Sequence, residues 1–188
     1  MMAVLRIAMV GGLCVFGPHT AAAAEWIVNA GESRIAFSGT HTGRAFSGSF
    51  RNWIAAIIFD PDDLVASRAF VRVDLSSATT GDATYDKTLP TADWLDTARS
   101  ATANFETMSF RSVAPGRYEA DGTLEMRGAK LPVTLVFNLR IDGDTAWVSG
   151  RASLKRLDFG IGKKSDADGA WVSLDIPLEV MLVARRKL

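Results

Sequence analysis

The sequence predicts an all-β fold: about eight antiparallel strands, with a ninth run at the C-terminus, forming a barrel or a sandwich around one short helical excursion. Three observations point there. Apolar and polar residues alternate with a period of two over most of the chain, as on strands with one buried face. Clusters of Gly, Pro and Asp punctuate those runs at short intervals. One stretch, 80–103, lacks the alternation.

In chain order, strands are expected over 26–30, 34–40, 46–59 and 69–75. FVRVDL carries Val71, Val73 and Leu75 on one face, and Pro61, Asp62 and Asp63 mark the turn before it. GDATYDKTLPTADWLDTARSATA then holds one or two short helices, with Thr91 or Asp93 as the cap. Strands resume at 104–113 and 117–127, where YEADGTLEM puts Tyr118, Ala120, Gly122, Leu124 and Met126 on one side. Pro115-Gly116 and Gly128 bound that run. LPVTLVFNLRI, within 131–141, aligns Leu131, Val133, Leu135, Phe137, Leu139 and Ile141, and Asp142-Gly143-Asp144 turns the chain into 146–156. A final run over 170–184 aligns Val172, Leu174, Ile176, Leu178, Val180 and Leu182. Pro177 within it predicts an edge position or a bulge, since proline cannot donate to a ladder.

Residues 1–24 read as a secretory leader. Arg6 supplies the charge, 7–16 the apolar core, and Ala22 and Ala24 the small residues before a cut after Ala24. The core is too short for a bilayer, which needs roughly 20 residues. Leu13 precedes Cys14 where a lipidation signal needs a small residue. The expected mature chain, 25–188, is thus one exported, periplasmic domain.

The leader contains the only cysteine and one of two histidines, so a disulfide framework is excluded. Of 21 basic and 21 acidic side chains only Arg6 leaves with it, and that balance argues against a nucleic-acid binder. The basic tail Arg185, Arg186, Lys187 is a weak membrane anchor at about 1 kcal/mol per charge.

Catalytic and metal chemistry find little support. One histidine without cysteine argues against a zinc site, which takes three or four ligands, usually His with Asp or Glu when catalytic. SDADG, 165–169, lacks the spacing and closing glutamate of a calcium loop, and Asp168-Gly169 reads as a tight hairpin turn. FGIGKKS, 159–165, has Ser165 where a dinucleotide fingerprint needs its third glycine, and reads as a glycine-bent strand end. Ser38 and Ser47 lie near His41 in sequence, but such pairs are commonly local hydrogen bonds. No catalytic residue and no metal ligand is assigned.

The inward faces mix large apolar residues with Gly39, Gly48, Ala120, Gly122, Gly150 and Ala152. Either these glycines mark corners and bulges, or they leave room for a ligand; a barrel of about eight strands can hold one small molecule.

Several stretches, in order, carry a resemblance: EWIVNAGESRIAFSGTH, GSFRNWIAAIIFDPDDLVASRAFVRVDLSSATTGDATYD, LPTADWLDTARSATANFE, YEADGTLEMRGAKLPVTLVF and RLDFGIG. The chain resembles the YceI-like family of polyisoprenoid-binding, lipocalin-like proteins across 25–188. SGTHTGRAFSGSF is similar to the branch associated with cytochrome b561-type membrane proteins. The commoner family version has a longer segment after the histidine and a bulkier residue where Gly39 stands.

The resemblance implies an extended eight-stranded antiparallel lipocalin-like β-barrel with an isoprenoid chain inside. Alternation points Phe37, Leu124, Leu135, Phe137 and Val148 inward, with Gly122 and Gly150 leaving space among them. With Phe50, and with His41 as a head-group contact, these make up the expected ligand-binding set. The implied ligand is an isoprenoid quinone such as ubiquinone, or a polyprenyl lipid, and no covalent cofactor is expected. The leading expectation is a periplasmic carrier of such lipids. The alternative is a non-catalytic redox accessory of a cytochrome b561-type membrane protein. A homodimer is the remaining expected partner.

Overall fold

Alternation does fix strands along this chain, and the strands close on themselves. The computed structural model describes residues 23–187. The expected leader lies outside them except for Ala23 and Ala24. β1 (Glu25–Val28) and β2 (Arg34–His41) are separated by a 3₁₀ turn, and β3 (Arg44–Phe50), β4 (Trp53–Ile58) and β5 (Arg68–Asp74) follow. A 3₁₀ turn leads to the two-residue β6 (Ala78–Thr79) and to α1 (Ala83–Thr88). β7 (Thr102–Ala114), β8 (Arg117–Met126), β9 (Ala129–Asp142), β10 (Thr145–Lys155) and β11 (Asp175–Arg186) complete the chain.

β1 pairs with both β4 and β11, closing the eight strands β1, β4, β5, β7, β8, β9, β10 and β11 into an antiparallel barrel. β2 continues along β11, with Phe37 opposite Leu178, and carries β3 and β6 outward as an extension of the wall. The all-β barrel expected from the sequence is therefore the fold, and of the two layouts left open there, barrel and sandwich, closure selects the barrel.

Several details depart from the sequence reading. The strand expected over 46–59 is two, because Arg51 and Asn52 turn aside: their N–H groups donate to Ser77 O and Ser77 Oγ. The α-helix of the 80–103 stretch starts at Ala83, capped by Asp82 through the N–H groups of Thr84 and Tyr85, rather than by Thr91 or Asp93. Residues 170–174 do not extend β11. Instead Ser173 N–H donates to Thr40 O and Thr42 N–H to Trp171 O, so this segment runs beside the end of β2. Asp168-Gly169 consequently turns a long loop and not a hairpin, and FGIGKKS, 159–165, follows a 3₁₀ helix (Arg156–Phe159) as a run of turns where a strand end was expected. Pro177 lies inside β11, between two neighbours, but the ladder to β2 starts only at Leu178, so its missing N–H falls where pairing stops.

The interior is packed at both ends. At the end that carries the 59–67, 115–116 and 143–144 turns, Trp26, Phe59, Tyr118, Ala120, Phe137, Ala146 and Ala184 are buried together. Phe59 meets Phe110 and Tyr118 edge-on at 5.2 and 5.4 Å, and Trp26 Nε1 donates to Phe59 O at 2.9 Å. At the opposite end, Leu75, Leu95, Leu124, Met126, Leu154 and Phe159 form a second cluster beneath the two long excursions, 75–101 and 156–174.

Candidate functional site: an apolar tube and a histidine cleft

Inside the barrel lies a cavity of about 180 Å³, apolar throughout its wall, bordered by most of the first cluster and by Leu124 of the second. Every barrel strand contributes, for example Trp26, Ala55, Val71, Phe105, Leu135, Val148 and Leu182. Thr107 brings the one hydroxyl, and its Oγ1 both accepts from Ala69 N–H at 2.8 Å and donates to Ala69 O. A dry apolar space of this kind suits hydrocarbon and repels water, which needs polar partners to stay.

Apart from His41, the expected site residues divide into three groups. Leu124, Leu135, Phe137 and Val148 line the tube, as alternation indicated. Phe37 and Phe50 pack against each other at 5.2 Å outside it. The third group is the glycines, and their role differs from the expectation of free space. A Cβ on Gly122 would lie 2.6 Å from Glu106 O and from the Phe105 ring, so Phe105 already occupies that room. A Cβ on Gly150 would meet Leu135 and Phe137 at 3.1 Å. At Gly48 it would approach Phe37 Cζ to 2.3 Å, so this glycine seats the ring opposite it in the β2–β3 ladder. These glycines permit close packing, and the tube's room comes from Ala55, Ala69, Ala120 and Ala152 instead.

His41 stands apart. Six residues beyond Ile35, which lines the tube, it is roughly 20 Å further along β2 at about 3.3 Å per residue. There it borders a cleft of about 270 Å³ shared with Phe46, Tyr85, Trp94, Ser165 and Trp171. His41 Nδ1 and Tyr85 Oη are 2.9 Å apart. Tyr85 escaped the sequence reading: its helix has no apolar periodicity, and its partner is 44 residues away. The Asp82 cap was the available signal, because it fixes where the helix begins and so which way Tyr85 faces.

The excursions around the cleft are held by charge. Arg156 and Asp166, each 1% exposed at the side chain, form an ion pair at 2.6 Å. Arg156 also donates to the carbonyl oxygens of Ile161, Asp166, Val172 and Ser173, which engages all three guanidinium nitrogens. Burial opposes the charge on Asp166, but N–H donation from Val172 and Trp171, together with Arg156, outweighs it and lowers its pKa. Arg127 performs a similar task between the excursions, donating to Ala92, Trp94, Phe159 and Gly160 carbonyls. Asp93 accepts from the N–H groups of Lys164 and Ser165. No group of three or more His, Cys, Asp or Glu side chains placed to hold a metal occurs among the described residues.

The family profile described as the YceI-like domain matches residues 26–184. The chain belongs to the YceI-like family. Similar YceI-like relatives include UPF0312 proteins of Azotobacter vinelandii, 28% identical over 177 residues and covering 89% of this chain and 92% of the relative. Another, from Ectopseudomonas mendocina, is 28% identical over 180 residues, covering 92% and 94%. Among solved structures, Burkholderia cenocepacia BcnA superposes with a TM-score of 0.80 at 23% identity, covering 83% of this chain and 98% of that one. A domain from Saccharophagus degradans, described as polyisoprenoid binding and implicated in plant cell wall breakdown, has a TM-score of 0.66 at 15% identity. That match covers 86% of this chain and 98% of the domain. Both likenesses concern the fold alone.

Proposed function

We propose that this protein is an exported, non-catalytic carrier that holds the chain of an isoprenoid lipid inside its barrel. The observation that carries the reading is the apolar cavity inside the closed barrel. Left without an occupant, about 180 Å³ of interior would forfeit contacts worth about 4 kcal/mol at ~24 cal/mol per Å³. Filling it with hydrocarbon recovers them, and each CH₂ withdrawn from water adds roughly 0.8 kcal/mol. A slender branched chain suits a tube walled by Val, Leu, Ile and Phe better than a rigid polar ligand does. The polyisoprenoid-binding description of the similar Saccharophagus degradans domain supports the same ligand class.

An isoprenoid quinone such as ubiquinone is the specific cargo proposed, and the periplasm is the proposed compartment, on the strength of the leader read in residues 1–24. The test is organic extraction and mass spectrometry of protein released from the periplasm without detergent. One isoprenoid per barrel is the expected result. Protein that comes out free of lipid, and takes up none from vesicles containing ubiquinone, would overturn the proposal.

A further inference from the structure

We propose that the barrel wall has a side door for lipid, a gap between residues 27–34 and 51–56, and that the rim of this gap docks on an anionic bilayer. The proposal rests on the carrier reading and adds to it the route by which cargo enters and the surface that supplies it.

The wall is interrupted at one height in two neighbouring paths. β1 and β2 run one after the other along β11, with 29–33 between them. β3 and β4 also follow one another, with only Arg51 and Asn52 between them. The two paths are joined on either side of the interruption, where Trp26 pairs with Ile57 and Ile35 with Phe50. Between those points no ladder pair joins them among the described residues. Phe59 N–H donates to Ala24 O and Asp74 N–H to Asn52 O. In an antiparallel ladder that alternation makes the even-numbered residues of β4 bond towards β5 and the odd-numbered ones towards β1. The N–H and C=O groups of Trp53 and Ala55 therefore point into the gap, past the end of the β1 ladder. Tube-lining side chains border it on both sides: Trp26 and Ile35 on one, Trp53, Ala55 and Ile57 on the other. A hydrocarbon chain passing between the two edges reaches the cavity from the side, without displacing the 75–101 and 156–174 excursions.

The outer rim matches a membrane surface. Ile27 and Ile54 alternate with tube-lining neighbours, so they face outward, and they are 58% and 62% exposed. Arg185 lies opposite Ile27 and Arg72 opposite Ile54, while Arg34 and Arg51 stand where the gap closes on β2 and β3. All four arginines are exposed, and none is in an ion pair among the described residues. The acidic side chains beside β1 are already engaged, Glu25 with Lys187 and Glu32 with Asn29 Nδ2. Unpaired guanidinium groups around exposed isoleucines complement anionic head groups, with the isoleucines entering the acyl boundary. A bilayer is also where an isoprenoid cargo is dissolved, so the docking surface and the door meet the same source.

The test follows ubiquinone uptake over time by protein released from the periplasm, offered vesicles of phosphatidylglycerol or of phosphatidylcholine. The protein is separated by flotation, extracted and analysed by mass spectrometry. The wild type should load about tenfold faster from phosphatidylglycerol. Ile54→Asp and the double variant Arg34→Glu/Arg51→Glu should lose that advantage yet reach the same final occupancy, because none of these residues lines the tube. Val28→Cys/Ala55→Cys places cysteines where the β1–β4 register would continue across the gap. Its oxidised form should load many times more slowly than its reduced form; should that disulfide not form, the rim variants decide. Equal loading from the two kinds of vesicle, an undiminished rate in Ile54→Asp, or equal rates for the confirmed disulfide and its reduced form would each overturn the proposal and leave the carrier reading standing. A wild type that loads from neither vesicle overturns both.

Discussion

A methyl group at Gly122 would collide with a carbonyl of the neighbouring strand, whereas one added to Ala152 would enter the tube. The two positions therefore separate packing from cargo. Gly122→Leu should cost about 1–3 kcal/mol by overpacking, with or without lipid, as measured by urea unfolding. Ala152→Phe should keep or raise stability by filling the cavity, and should abolish isoprenoid uptake. Equal losses of stability in both variants would mean the tube is too tight to admit a ligand. Arg156 and Asp166 give a second contrast. Asp166→Ala strands a guanidinium that is 1% exposed, at a cost of about 3–5 kcal/mol. Replacing both partners by apolar residues of similar size should cost clearly less, because no charge is then left buried alone. Denaturant melts of the single and double variants decide it.

At the scale of elements, the strands were legible because half-buried sheet imposes a two-residue period that no local exception hides. The break at Arg51–Asn52 was not, since alternation persists on both sides and its cause is a distant serine, Ser77. Glycine was misleading for a related reason. Gly122 reads as space in one dimension, but Phe105, which pairs with Leu124 two residues away, leans diagonally over it. The cleft was half legible: His41 stood out as the one histidine beyond the leader, whereas Tyr85 had no pattern to mark it. Short α1 is held to the sheet by Asp86, which accepts from Thr80 N–H, Thr79 Oγ1 and Thr80 Oγ1 at 2.6, 2.7 and 2.8 Å. These bonds, that from Thr80 N–H foremost, lower its pKa to about 2. The unfolded carboxyl titrates near ~3.9, so the contribution is complete above that value and fades as the pH falls towards 2. Between pH 4 and 2 the wild type should lose α1 contacts, read as rising hydrogen exchange at Tyr85 and Asp86. Asp86→Asn should remove that pH dependence while exchanging faster throughout; an identical pH profile in both proteins would refute the role of these bonds.

For the whole molecule, the barrel is closed by a four-residue strand, β1, which bridges β4 and β11. That closure abolishes a free edge and leaves the interior as the place where apolar surface can be gained. The two ends are packed differently, by aromatic contacts at one and by the salt-bridged excursions at the other. The tube thus has a finite length, and a finite tube makes a distinctive demand on its ligand: affinity must grow with chain length and then stop. The decisive measurement is the dissociation constant of the purified protein for a series of polyprenyl quinones with one head group and an increasing number of isoprene units. Affinity should climb steeply over the first units, by up to roughly 0.8 kcal/mol for each CH₂-sized group buried, and level off once the tube is full. Affinity that is independent of chain length, from the shortest member to the longest, would contradict a chain held in the barrel.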